Sequence, residues 1–344
     1  MHTASGILER PIAASPQLHP GTATVRHVRS STIGWIAMTV MILSGSTSTA
    51  FGKQLTQFFS PLSMLFLSEV MLLLFAVLSF GLFPIVRSLK RIPKETVLPL
   101  LTAGVLNGVL GPVFWFSGLE QTFAINSQLF GNAETLFLIL FGILLMHQFP
   151  RRAQWTGGGI ILAGLVVVAL KGFGDGIILA RGDLLIILSG CFYGLGGALI
   201  GKYLRHVVPQ VIIVGRSLCA IAFFFLLSPF IHHPFITELQ AFPWAMLSVL
   251  LGYGLISRFL LIFSYYESIE RLPLPTVSLL GTLAVGTSML FTHWYLGEAV
   301  AWYQASGALL IILGAVVVQW GSLQKVEKYM AHFLKAHHRH LRTS

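Results

Sequence analysis

Ten apolar stretches fill the chain between Gly34 and Trp320, and they restrict it to one class of fold. They run near 34–56, 62–84, 97–118, 123–146, 153–171, 183–203, 209–229, 242–265, 274–296 and 302–321. Each is about the length an α-helix needs to cross a hydrocarbon core of roughly 30 Å. Inside lipid every backbone N–H and C=O needs a partner within the protein, and a helix supplies one from its own turns. Of the 344 residues, 55% are hydrophobic and only 10% are charged. A water-soluble core cannot hide that much apolar surface, whereas a bilayer can. The chain therefore reads as an all-α integral membrane protein with ten transmembrane helices. Its water-soluble parts are an N-terminal tail over 1–33 and a basic C-terminal tail over 322–344. The N-terminal tail lacks the apolar centre of a signal peptide, so Gly34 onward reads as an uncleaved first span.

The net charge of +10 would point to nucleic acid in a soluble protein. Here the positions of the cations explain it. Counting from the N-terminus, seventeen Lys and Arg fall in the tails and loops of one side: Arg10, Arg26, Arg29, Arg87, Lys90, Arg91, Lys94, Arg151, Arg152, Lys202, Arg205, Arg271, Lys325, Lys328, Lys335, Arg339 and Arg342. The loops of the other side hold only Lys171 and Arg181. Cytoplasmic loops carry this excess, so both termini are expected in the cytoplasm, with the chain crossing the inner membrane of the cell. The lipid bilayer is the expected partner, and nucleic acid is not. Cys191 and Cys219 fall inside spans without metal-ligand spacing and read as helix-packing residues. His332, His337, His338 and His340 read as part of a basic tail resting on anionic lipid. No cofactor and no metal are expected.

The second five stretches repeat the first five. Gln154, Gly157 and the run Gly164-Leu165-Val166-Val167-Val168 return 150 positions later as Gln304, Gly307 and Gly314-Ala315-Val316-Val317-Val318. Gly45, Gly52 and Lys53 return 149 positions later as Gly194, Gly201 and Lys202. Trp115, Leu119 and Glu120 align with Tyr265, Ile269 and Glu270. The repeats are expected over 34–171 and 183–321. An odd number of spans per repeat inserts the two halves upside down relative to each other, the design by which many carriers build one site with two alternating exits. The last span of each half is rich in glycine and alanine, which suits close helix packing or a homodimer face.

The stretch Tyr295-Leu296-Gly297-Glu298-Ala299-Val300, followed by Gln304, Gly307 and Gly314, resembles the closing signature of the EamA-type branch of the drug/metabolite transporter superfamily. The paired repeats, the lysines that end the first and sixth spans, and the length agree with that resemblance. It implies a ten-helix carrier that moves small organic solutes across a prokaryotic inner membrane, usually outward. The first half departs from the pattern. Gln148 stands where the resemblance predicts the acidic residue matched by Glu298, and Glu134-Thr135 stands where many members carry Glu-Pro.

Charges at membrane depth normally face a cavity, a partner or a substrate. Four are found: Glu69 in the second span, Glu134 in the fourth, Arg216 in the seventh and Arg258 in the eighth. Glu69 and Arg216 occupy comparable places in the two repeats. They read either as cavity residues, with Arg216 holding a carboxylate or phosphate and Glu69 an ammonium or proton, or as a fixed pair joining the halves. Glu134 is the preferred proton carrier, with a partnership to Arg258 as the alternative. Asn107 sits at mid-membrane depth and suits either substrate or a neighbouring helix. Trp115 and Tyr265 read as interface anchors or as an aromatic cavity wall. Gly111-Pro112 is expected to interrupt the third span.

The expected function is secondary active transport: proton-coupled export of a small polar metabolite such as an amino acid or derivative. Multidrug export and exchange of organic anions or nucleotide sugars are the rival substrates. A channel or a sensory membrane protein is the rival class. An enzyme is not expected, because no zinc, Ser-Lys or Ser-His pattern occurs and Asp175 and Asp183 lie in loops.

Overall fold

The computed structural model describes residues 20–146, 152–171, 180–204, 207–272, 277 and 280–318. Among them no strand occurs. The first half contributes α1 (Pro20–Leu55), α2 (Pro61–Phe80), the short α3 (Leu82–Lys90), α4 (Lys94–Gln121), α5 (Ala124–Leu145) and α6 (Arg152–Ala169). The second contributes α7 (Arg181–Tyr203), α8 (Pro209–Leu227), the short α9 (Phe235–Ala241), α10 (247–271), α11 (Leu283–Leu296) and α12 (Trp302–Val318). Each helix thus has its mate six labels on. Eight of them are long and apolar enough to cross a membrane. The described parts of α11 and α12 are shorter and occupy the ninth and tenth expected spans.

Local chemistry sets several boundaries, and the repeat shows in them. Pro61 opens α2 and Pro209 opens its mate α8, where the missing N–H costs nothing. The expected second span ran to 84, but the structure ends it at Phe80. Gly81 has a φ of +80°, a backbone conformation that stops the helix, and α3 then starts in a new direction. The expected break at Gly111-Pro112 is also displaced. The helix α4 runs through it, and the departure is a wide turn over Leu106–Leu110 with the hydrogen-bond pattern of a π-helix. Pro112 has no N–H to give to the preceding turn, and a wider turn there lets the helix continue. The mate helix α10 has the same feature over Tyr253–Leu260, without a proline.

The two halves interlock rather than sit side by side. The first helix of each half packs on the third and fourth spans of the other: α1 on α10 and α11, and α7 on α4 and α5. The second spans meet each other, α2 against α8, with α2 also on α10 and α8 on α4. Along α1 this contact is polar. Ser46 and Thr287 hydroxyls lie 2.6 Å apart, as do those of Thr47 and Ser257, and those of Thr49 and Ser288 lie 2.9 Å apart. Lipid gives no hydrophobic drive for helix association, so such bonds and close packing hold the bundle. Close packing is extreme between α6 and α12. A Cβ on Gly157 would lie 2.5 Å from the Gly314 carbonyl oxygen, and one on Gly164 would lie 2.9 Å from that of Gly307. The expected small-residue face is therefore used inside the chain, pairing the last spans of the two repeats.

Candidate functional site

Where α2, α8 and α10 converge, a single carboxylate is held by two arginines. Glu69 is fully buried. Its Oε1 accepts from Arg216 Nη2 at 2.7 Å and from Arg258 Nη2 at 2.5 Å, and its Oε2 accepts from the Ser217 hydroxyl at 2.7 Å. Both oxygens are thus occupied. The expected pairing of Glu69 with Arg216 is present, but Arg258 joins it, and the two cations leave the cluster with one positive charge in excess. Glu69 as an open site for an ammonium does not fit this geometry, because no oxygen is left facing a cavity. Arg258 as the partner of Glu134 does not fit either: it pairs with Glu69, makes no ion pair with Glu134 among the described residues, and does not line the cavity that Glu134 faces. The Nε atoms of Arg216 and Arg258 are buried without a hydrogen-bond partner among the described residues.

Arg216 also faces outward from this cluster into a cavity of about 450 Å³. Asn107, Glu134, Tyr193, Arg216 and Tyr265 supply its polar lining. Its apolar wall includes Leu100, Ala103, Ile200, Ile213 and Ile262. The volume lies within the roughly 300–1,000 Å³ of small-ligand sites, and an apolar wall with a few convergent polar groups is their usual chemistry. The Glu134 carboxyl is open to this space and makes no hydrogen bond or ion pair to any described residue. Tyr193, which the sequence reading passed over, brings its ring against Gly111, where a Cβ would lie 2.8 Å from the ring. Asn107 lies against Gly196 of the same helix α7, and its Oδ1 is buried without a hydrogen-bond partner among the described residues. The wide turn of α4 carries Asn107, and that of α10 carries Arg258, so each turn aims one polar side chain at the centre.

The cavity is one-sided. Its residues come from the N-terminal parts of α4 and α8 and the C-terminal parts of α7 and α10, with Glu134 added from the middle of α5. At the centre of the opposite half lies a packed cluster that includes Leu55, Phe59, Phe116, Leu119, Phe242, Leu250 and Tyr253. Tyr253 and Leu250 of the packed half correspond, 150 positions on, to Ala103 and Leu100 of the cavity wall. The same place in the repeat holds a buried tyrosine on one side and a methyl group on the other. Trp115 lines neither this cavity nor the second one described below. Its ring packs against Gly131 between the two largest apolar clusters, so the aromatic wall expected from Trp115 and Tyr265 together is built by Tyr193 and Tyr265 instead.

The closing signature has a structural task at the filled end. Glu298 Oε1 accepts the Ala124 N–H at 2.9 Å and Oε2 accepts the Ile125 N–H at 3.0 Å. A carboxylate at a helix N-terminus satisfies orphan donors and meets the positive end of the dipole. Glu298 thereby caps α5, a helix of the other repeat. Gln304 adds a tie, donating from Nε2 to Asn126 Oδ1 at 2.7 Å. Gln148, the counterpart of Glu298 in the first half, lies outside the described residues. Lys53 does a related job at a helix end, donating to the Leu119 and Glu120 carbonyls at 2.7 and 2.9 Å. Lys202 donates to the Leu145 carbonyl at 2.8 Å. A second recess of about 470 Å³ lies beside Lys53, Glu120, Asp183 and Glu298; Asp183, expected in a loop, is buried in the first turn of α7, and both it and Glu298 already have their partners.

Comparison with known proteins agrees with this architecture. The model of the EamA-like transporter family matches twice, over residues 32–170 and 180–320. An uncharacterized transporter of Methanothermobacter thermautotrophicus (strain Delta H) is 26% identical over 236 residues, which cover 67% of this chain and 66% of the relative. The alignment thus spans slightly less than two thirds of that relative's length. A solved crystal structure shares the fold, with a TM-score of 0.51 at 20% identity over 84% of this chain and 97% of its own.

Proposed function

The chain belongs to the EamA-like transporter family and is a multi-pass membrane transporter, and from that premise we propose that it is a secondary carrier exporting a small zwitterionic metabolite, such as an amino acid or derivative, in exchange for protons. The observation that carries this reading is one cavity wall presenting both Arg216 and the unpartnered carboxyl of Glu134. Arg216 belongs to a cluster with an excess positive charge, gives only Nη2 to Glu69, and suits a solute carboxylate at its cavity side by a charge-assisted hydrogen bond. Glu134 takes either the solute's ammonium group or a proton, never both. That mutual exclusion is the chemical core of exchange: a proton arriving on Glu134 releases the solute, and a solute arriving releases the proton.

The path follows from the one-sided cavity. With both termini in the cytoplasm, the open end of the cavity is cytoplasmic, and the packed cluster around Phe59, Phe116 and Phe242 closes the outer side. The solute enters from the cytoplasm. The repeats then exchange roles, opening the outer cluster and closing the inner wall. The experiment is counterflow in proteoliposomes, with labelled amino acids, nucleotide sugars and cationic dyes offered in turn. The reading requires amino-acid flux that Arg216→Gln abolishes. Flux of dyes alone, untouched by Arg216→Gln, would make this a multidrug exporter with Arg216 as scaffold. An exchanger of organic anions would show nucleotide-sugar flux that survives Glu134→Gln.

A further inference from the structure

The short helix α3 sits between the second and third spans and differs in kind from everything around it. Over Leu82–Lys90 its side chains sort into two faces. Ile85 is buried and Leu89 half-buried, turned toward the protein. Leu82 and Val86 flank them but stay exposed, and Phe83, 75% exposed, shares the opposite face with the cations, one turn before Arg87. Arg87 and Lys90 project on that opposite face, followed by Arg91 and Lys94 in the turn to α4, all four exposed. None of the four has a salt bridge or hydrogen-bond partner among the described residues. An amphipathic helix with apolar flanks and unpaired cations lies in the plane of a lipid interface.

Its mate α9 (Phe235–Ala241) shows that the fold does not demand those cations. At the equivalent place between the second and third spans of the other half, α9 has no basic residue, and its Glu238 carboxylate accepts the Ser60 N–H at 3.3 Å. The apolar side of α3 reaches the cavity. Leu89 and the following Ile92 pack on a cluster of Leu100, Ala103, Leu204 and Val211. Leu100 and Ala103 of that cluster line the cavity at its open end.

We propose that α3 and its four cations form a binding seat for anionic phospholipid headgroups, and that a lipid held there braces the cavity wall at Leu100 and Ala103. The flanking side chains Leu82 and Val86 meet the acyl region, while Arg87, Lys90, Arg91 and Lys94 gather the headgroup phosphates around Phe83. Each cation near such a surface adds to the attraction, and the attraction weakens with salt. The seat depends on charge complementarity and on α3's contacts, and stands independently of which solute is carried.

The test uses the full-length protein in neutral detergent, with melting followed as phosphatidylglycerol or phosphatidylcholine is added. Phosphatidylglycerol should raise Tm saturably by about 3 °C or more, as a ligand of the folded state does. Phosphatidylcholine and inorganic phosphate should not. The shift should vanish in Arg87→Gln/Lys90→Gln/Arg91→Gln/Lys94→Gln and persist in Lys171→Gln/Arg181→Gln, which removes the two cations of the other side. Equal shifts with both lipids, an equal shift with phosphate, or a shift that survives neutralising the α3 cations would overturn the proposal. If the fourfold α3 variant does not fold, the wild-type shift is measured in rising salt. Loss of the shift supports the seat, and a salt-independent shift refutes it.

Discussion

Replacing Glu69 by Gln is the sharpest perturbation this architecture offers. The change keeps the side-chain shape and removes one charge. In the native protein the carboxylate is fully buried and binds two guanidiniums at 2.7 and 2.5 Å while accepting from Ser217 at 2.7 Å. The amide can still accept on one oxygen, but its NH₂ group faces donors. Arg216 and Arg258 are then left as two largely buried cations without an anion. Breaking a buried pair by removing one partner costs about 3–5 kcal/mol, because the remaining charge is uncompensated. With two orphaned cations the upper part of that range applies. At about 2–4 °C per kcal/mol for a large domain, Tm should fall by roughly 8–20 °C. The assay is thermal melting in detergent of Glu69→Gln, Arg258→Met and the double variant. The double variant should recover part of the loss, since one cation goes with the anion, and the two changes should couple by about 1–3 kcal/mol. A Glu69→Gln protein that melts within 2 °C of wild type would show that the carboxylate does not hold the arginines, and the reasoning would fail.

Other expected outcomes test the framework around the site. Glu298→Ala should cost about 1–2 kcal/mol through the lost cap on α5, read as a lower Tm, and Glu298→Gln should restore part of it by accepting one of the two N–H groups. Gly157→Val should abolish a stable fold, since even a Cβ would lie 2.5 Å from the Gly314 carbonyl oxygen; size-exclusion profiles of the solubilised protein would report it.

Much of this molecule was legible from its sequence, and what was not has a common physical cause. Apolar run length fixed depth, so the spans and the four charges at membrane level were found by counting. The offset of about 150 positions exposed the repeat, and the glycines of α6 and α12 announced a close approach. Depth does not give rotation about a helix axis, nor which helix is the neighbour. Glu69 and Glu134 therefore looked alike in sequence, yet one is locked between two arginines and the other stands free in the cavity. Trp115 has the right depth but faces a packed core, while Tyr193, unremarked, faces the cavity. Its position at mid-span in α7 was the signal available. The wide turn of α10 has no proline to announce it; its mate in α4, one turn before Pro112, was the only hint. The signature carboxylate of Glu298 pointed to kinship, whereas its task is visible only once α5 of the other repeat is placed beneath it.

Glu134 carries the central claim, because it alone links the solute to the proton. The direct measurement is accumulation of labelled solute by proteoliposomes under an imposed pH gradient, wild type beside Glu134→Gln. The account predicts that wild-type vesicles concentrate the solute against its gradient as protons leave, while Glu134→Gln, with no carboxyl to titrate, never concentrates it. Accumulation by Glu134→Gln equal to wild type would place the proton elsewhere and contradict the account.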